Sequence, residues 1–236
     1  AAEAEVAAVV GVSGGLLRMA SFPTAGATLV PLAIAGFRDA HPGVRLTLAE
    51  DEPEEIAPRV RAGELDLGLL FEFRGGGRSL GGGLDRTELM ADPLHVALRH
   101  DHPLAERPVL RLEDLREEPW IQTGAATPCA RHVLRVCHEA GFEPDVSFES
   151  DDYDTVQGLV AAGVGVALIP QLALSTVRPG IVVRALRPRG PVRRVIAATP
   201  RGGASPAAAA MLAVLVDVAR RHGGEAAGTA LGIPQG

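Results

Sequence analysis

The chain contains no lysine, and all 23 of its formal side-chain cations are arginine. Against 29 carboxylates they leave a net charge of −6. That balance argues against a surface that clamps nucleic acid by itself, since neutralising phosphates takes clustered cations. Aromatic residues make up 3%, with one Trp and one Tyr. Only two cysteines occur, Cys129 and Cys137, eight positions apart within one expected helix. Eight residues rise about 12 Å along a helix, beyond disulfide reach. Long apolar runs are also scarce. Ala207 to Val216 is the longest and is closed off by Asp217, Arg220 and Arg221, too short to span a bilayer. The first residues lack the basic and apolar regions of a secretory leader, so the expected location is the cytoplasm.

What is present is apolar patterning with a half-chain period. Val44 to Leu48, then Ile56, Val60, Ala62-Gly63 and an apolar run to Phe71, are answered about 100 residues later. The second set is Val146 to Phe148, then Val156, Val160, Ala162-Gly163 and a run to Pro170. Identity is slight, but strand, helix and strand recur in order. Two copies mean two similar lobes, whereas a solenoid needs at least three. The expected fold is α/β, with two Rossmann-like lobes and a cleft between them.

The local signals fill in this outline. Leu16 to Ser21 reads as a strand, and Pro23-Thr24 opens a helix that runs to Ala40. Val44 to Ala49 is a strand, and Asp51 opens a helix that Gly63 stops. Leu65 to Phe71 is nearly all apolar, as in a parallel strand covered on both faces. Residues 74–83 hold six glycines and read as a loop. Strands are expected at Leu84 to Met90 and Leu94 to Arg99, broken at Asp92-Pro93, where the chain crosses between lobes. The second lobe has strand Trp120 to Gln122, helix Pro128 to Ala140, strand Val146 to Glu149, helix Asp154 to Ala161 and strand Val164 to Ile169. Strands Ile181 to Leu186 and Val192 to Thr199 precede a last helix from Ser205-Pro206 to Arg221.

In open parallel sheets ligands bind beyond the carboxyl ends of strands, where helix starts favour anions. The first lobe offers Ser21, Phe22, Pro23 and Thr24 there, and the second offers Gln122, Thr123 and Gly124. Each hydroxyl alone is equally well read as a helix cap. Their repetition in both lobes points to a site, with Phe73 and Ser150 on its rim. Glu50, Glu52, Glu72, Glu149, Asp151 and Tyr153 follow the same strands and singly read as solvated loop residues.

Gly11 to Gly15 matches the spacing of a nucleophile elbow, but a strand follows it where a helix is required. The glycines of 75–83 lack the Lys-Ser/Thr of a phosphate loop. Cys129, His132, Cys137 and His138 cannot converge on one metal, because His138 lies nearly opposite Cys129 on the helix. No catalytic set, metal or cofactor is expected.

The ordered segments resemble the effector-binding domain of LysR-type transcriptional regulators. They are Gly15-Leu16-Leu17-Arg18 into Phe22-Pro23-Thr24, Leu29-Val30-Pro31 to His41-Pro42-Gly43-Val44, Glu64 to Gly68, His102-Pro103-Leu104-Ala105, and Val156 to Pro170. The resemblance covers residues 15–221. It implies a periplasmic-binding-protein-like fold of type 2. Subdomain I is then 15–91 with 195–222, and subdomain II is 92–194. Residues 1–14 would be a linker-helix remnant and 223–236 a flexible tail. It also implies a small, anionic organic effector between the lobes, touching Ser21, Pro23, Thr24, Thr123 and Gly124. A homodimer or tetramer would form through helices 24–40 and 128–140. The DNA-binding heads such a regulator needs are absent from this chain. A free-standing solute-binding protein is the alternative on the same architecture.

Overall fold

The computed structural model describes residues 14–73, 80, 82–188 and 190–228. The expected linker remnant, most of the glycine loop and the end of the tail lie outside the described residues. The chain divides into two compact units. The first takes in the chain to Glu72, the stretch ending at Ala91, and Arg194–Gly228. The second holds Phe73 and Asp92–Arg193.

In the first unit, β1 (Gly15–Ser21) runs parallel to β2 (Val44–Glu50) on one side and to β3 (Leu67–Phe73) on the other. The order continues through β10 (Val192–Pro200) to β4 (Leu84–Arg99). All of β3 except Glu72 is buried, as its unbroken apolar run requires. Asp66 fixes the approach to β3: its carboxylate accepts from the Arg18 backbone N–H (2.8 Å) and from its guanidinium (2.8 and 3.1 Å). This bonding holds the Asp66 carboxyl below its ordinary range.

The helix expected from Pro23 to Ala40 is two: α1 (Pro23–Ala27) and α2 (Leu29–Ala40). At the junction Thr28 has φ −119°, and its Oγ1 donates to the Thr24 carbonyl at 2.7 Å. A side chain bonding back by four residues is a known cause of helix bending. Helix α3 (Pro53–Arg61) packs Ile56, Ala57 and Val60 against Ala20, Leu70 and Ala198. Gly68 makes this approach possible, since a Cβ there would stand 2.5 Å from Ile56 Cγ2. The closing helix α6 (Pro206–Gly228) lies against α2 and continues past Arg221, the expected end.

The second unit is built on the far half of β4, which pairs antiparallel with β8 (Ala167–Pro170) and β9 (Ile181–Leu186). A short β5 (Val109–Leu110) runs parallel to β9. Strands β6 (Pro119–Gln122) and β7 (Asp145–Glu149) form a parallel pair. Helices α4 (Pro128–Glu139) and α5 (Tyr153–Ala161) follow those two strands. The core joins Ile121, Val156, Val160, Ala167 and Ile169. Gly165 lets β6 come close, because a Cβ there would fall 2.6 Å from the Pro119 carbonyl oxygen.

Two expected strands around Asp92-Pro93 are one strand of 16 residues. Pro93 gives up one N–H without ending the extended chain. Its neighbours stay bonded: the Leu94 N–H donates to the Pro191 carbonyl at 2.9 Å.

Candidate functional site

The strand-end segments are taken unit by unit. In the first, Ser21 closes β1 and is buried, and its hydroxyl donates to the Phe22 carbonyl at 3.1 Å. It is therefore not a helix cap. Phe22 stands at the N-cap position of α1 without a side-chain cap bond, and its ring meets Phe71 edge-on at 5.0 Å. Pro23 starts the helix and Thr24 is buried inside it. Ser21 is register partner to Glu50, whose carboxylate approaches to 3.5 Å of where a Gly26 Cβ would be.

In the second unit, Gln122 ends β6 opposite Glu149 on β7, the same placement that Ser21 and Glu50 have. Thr123 Oγ1 bonds Thr127 Oγ1 at 2.7 Å, and Thr127 is the true cap of α4, accepting from the Ala130 N–H at 3.1 Å. The Gly124 N–H donates to Asp151 Oδ1 at 2.8 Å. Ser150 donates its N–H to the Gln122 carbonyl at 2.9 Å, and its Oγ accepts from the Asp152 N–H. Asp152 accepts from the Thr155 hydroxyl at 2.6 Å and caps α5 through the Asp154 and Thr155 N–H groups, and this bonding, the hydroxyl's foremost, holds its carboxyl below the ordinary range. The Phe73 ring is stacked on His132 of α4 at 3.7 Å and 8°.

The side chains of Gln122 and Thr123 open on a narrow pocket walled by Leu94, Trp120, Val133 and Leu168. Cys129 and Tyr153 line it as well. Behind them Arg193 and Asp92 form a buried ion pair, with guanidinium nitrogens 2.5 and 3.0 Å from Asp92 Oδ2. Asp92 Oδ1 accepts from the Leu172 N–H at 3.0 Å, and Arg193 Nη1 points to Cys129 Sγ at 3.6 Å. Burial, the largest single influence, disfavours the cation, but the charges of Asp92, Cys129 and Tyr153 with the Asp92 hydrogen bond together outweigh it and hold Arg193 above its ordinary range. Burial, followed by the charge of Cys129, keeps the Tyr153 phenol well above its usual range.

His132 is pushed down to about 4, first by burial and then by the charge of Arg135. Arg135 Nη2 stands 2.8 Å from its Nδ1, which fits the neutral ring accepting there. Cys137 is fully buried, and its thiol is pushed up to about 12.

The structure thus gathers Gln122, Thr123, Gly124 and Ser150 at one end of the β6–β7 pair, and Ser21 to Thr24 at one end of the β1–β2 pair. Thr127 was missed although Thr-Pro before an amphipathic run is a cap signature. Asp92 and Arg193 carried no local signal at all. Among the described residues no group of three or more His, Cys, Asp or Glu is placed to hold a metal.

Residues 11–220 match the family described as the LysR substrate binding domain. The chain is 29% identical over 164 residues to the transcriptional dual regulator GltC of Bacillus subtilis, covering 69% of this chain and 53% of that protein. It is 32% identical over 158 residues to the transcriptional regulator TtuA of Agrobacterium vitis, covering 66% and 51%. The chain therefore spans about half the length of these relatives. Among solved structures, the regulatory domain of Synechocystis CcmR in complex with 2-PG aligns with a TM-score of 0.77 at 23% identity, covering 87% of this chain and 98% of that one. The C-terminal domain of a probable LysR family regulator from Rhodococcus aligns with a TM-score of 0.74 at 26% identity, covering 86% and 98%.

Proposed function

This chain belongs to the LysR substrate-binding-domain family, and from that premise we propose that it is the sensing part of a transcriptional regulator. The matched relatives are transcriptional regulators, so the alternative of a free-standing solute-binding protein is not favoured. In our reading the effector is a small organic anion that engages Ser21, Phe22, Pro23 and Thr24 in one unit. Gln122, Thr123, Gly124, Phe73 and Ser150 serve it in the other. The observation that carries this is the recurrence of one arrangement, a polar strand end beside a helix start, in both units. The Gly124 amide reaches a ligand once Asp151 releases it. An effector that binds two arrangements of the domain unequally shifts their populations, and only that differential affinity does work.

DNA is contacted by a separate domain of the whole regulator, and the protein works in the cytoplasm as a homodimer or tetramer. Exposed apolar residues support pairing through α2 and α4: Leu32 is 57% exposed and Leu134 37%, with Leu48 and Phe148 on the strands β2 and β7. No helix of the described residues is long and apolar enough to cross a membrane.

The test is a thermal-shift screen against small organic acids, followed by calorimetry of the best binder. Each of Ser21→Ala/Thr24→Ala and Thr123→Val should weaken binding by about tenfold per lost hydrogen bond. Unchanged affinity removes those residues from the site.

A further inference from the structure

The chain passes from the first unit to the second at Ala91–Asp92 on β4 and returns at Arg193–Arg194 on β10. These two strands are neighbours in the sheet. Two arginines thus stand side by side in sequence at one crossing. Successive side chains of a strand leave by opposite faces, so each meets its own set of partners. Arg193 is fixed within the second unit. Its Nη2 and Nε bond Asp92 Oδ2 at 2.5 and 3.0 Å, and Asp92 Oδ1 is engaged by the Leu172 N–H at 3.0 Å.

Arg194 belongs to the first unit and is held differently. Its Nη2 lies 3.6 Å from Glu72 Oε2 on β3, and its Nη1 lies 3.6 Å from Glu88 Oε2 on β4. Both are ion-pair separations, and at that length neither is a hydrogen bond. The Arg194 Nε is buried and has no hydrogen-bond partner among the described residues. A buried N–H without an acceptor is costly, and a guanidinium gains most from parallel bonds to one carboxylate. The midway position forgoes both gains. The two carboxylates also differ. Glu72 is largely buried and accepts from Arg86 Nη2 at 2.5 Å and from the Leu80 N–H at 3.0 Å, whereas Glu88 is more than half exposed.

We propose that Arg194 is a two-position toggle at the β10 crossing. Its guanidinium moves between Glu72 and Glu88 while Arg193 stays fixed on Asp92. Bending of the chain between its units is taken up at the single link that joins the two arginines. A switching protein needs an element with two discrete arrangements, and hinges are a few residues that absorb the change. Full pairing with Glu72 and full pairing with Glu88 are those arrangements here. The toggle operates in the ligand-free chain, so it does not rest on where an effector binds.

The experiment is NMR relaxation dispersion on the arginine Nε nuclei and backbone amides of the folded, ligand-free chain, which reads motion on the μs–ms timescale. Arg194 Nε should exchange and Arg193 Nε should not. The amides of Ala91, Asp92 and Arg194 should share the Arg194 exchange rate. Glu88→Gln should shift the populations toward the Glu72 position by about two- to fivefold, the range that an exposed ion pair supports. Glu72→Gln should shift them the other way. A static Arg194 overturns the proposal, as does equal exchange at Arg193 or a shift of the same sign in both variants. If Glu72→Gln does not fold, Arg194→Met decides: exchange of the crossing amides should disappear, and its persistence overturns the proposal. Unchanged affinity in the Ser21, Thr24 and Thr123 variants would remove the effector reading and leave this one standing.

Discussion

Removing the charge of Asp92 is the sharpest perturbation available in this fold. Its carboxylate is fully buried and its partner Arg193 is 2% exposed, so neither charge is screened by water. Asp92→Asn keeps the shape and an acceptor for the Leu172 N–H, but it leaves the guanidinium without a counter-charge. Breaking one side of such a pair costs about 3–5 kcal/mol. For a chain of this size that lowers the melting midpoint by roughly 6–20 °C. Urea unfolding followed by circular dichroism gives the number directly, read from the midpoint at constant slope. Replacing both partners, Asp92→Leu with Arg193→Met, removes the orphaned charge and should recover most of the loss. The reasoning is refuted if Asp92→Asn costs under about 1 kcal/mol, or if the double variant is as unstable as the single one.

Three further outcomes follow from the packing and the titrating groups. Gly68→Ala should destabilise by about 1–3 kcal/mol, because its Cβ would fall 2.5 and 2.8 Å from the Cγ2 methyls of Ile56 and Val60, read as a lowered midpoint in a melting assay. Gly165→Ala should cost more than Gly68→Ala, since it meets the Pro119 backbone oxygen at 2.6 Å, which cannot turn aside as a side chain can. His132 prefers its neutral form in the fold, at about 4 against the usual 6.5. The unfolded chain therefore binds the extra proton first, and the stability contributed is full above about pH 6.5 and lost as pH falls toward 4. At most this is about 3 kcal/mol, and His132→Gln should flatten the slope of stability against pH in that window.

Much of the fold was legible because its signals are local. The apolar run Leu65 to Phe71 announced β3, and Pro128 with Gly141 bounded α4. Thr28 was opaque for the opposite reason: nothing in the spacing of Leu29, Leu32 and Phe37 reveals that its hydroxyl turns back to the Thr24 carbonyl and divides the helix. Pro93 misled in the other direction, since a proline in a strand normally marks its end and here the Pro191 carbonyl, just ahead of β10, takes the next N–H, that of Leu94. The strand-end residues could be named from the pattern, but their bonding could not. That Asp151 occupies the Gly124 amide depends on contacts between two strand ends 27 residues apart. The pair Asp92 and Arg193 is separated by 101 residues, and no pattern of charge or hydropathy connects them.

That separation bears on dissection of the molecule. Asp92 is the first residue of the second unit's main segment and Arg193 the last. A recombinant fragment that begins after Asp92 or stops before Arg193 carries half of a sealed electrostatic rivet and should express as aggregate. One that keeps both termini intact closes on itself, so the cut sites for fragment complementation or domain grafting are set by this single pair.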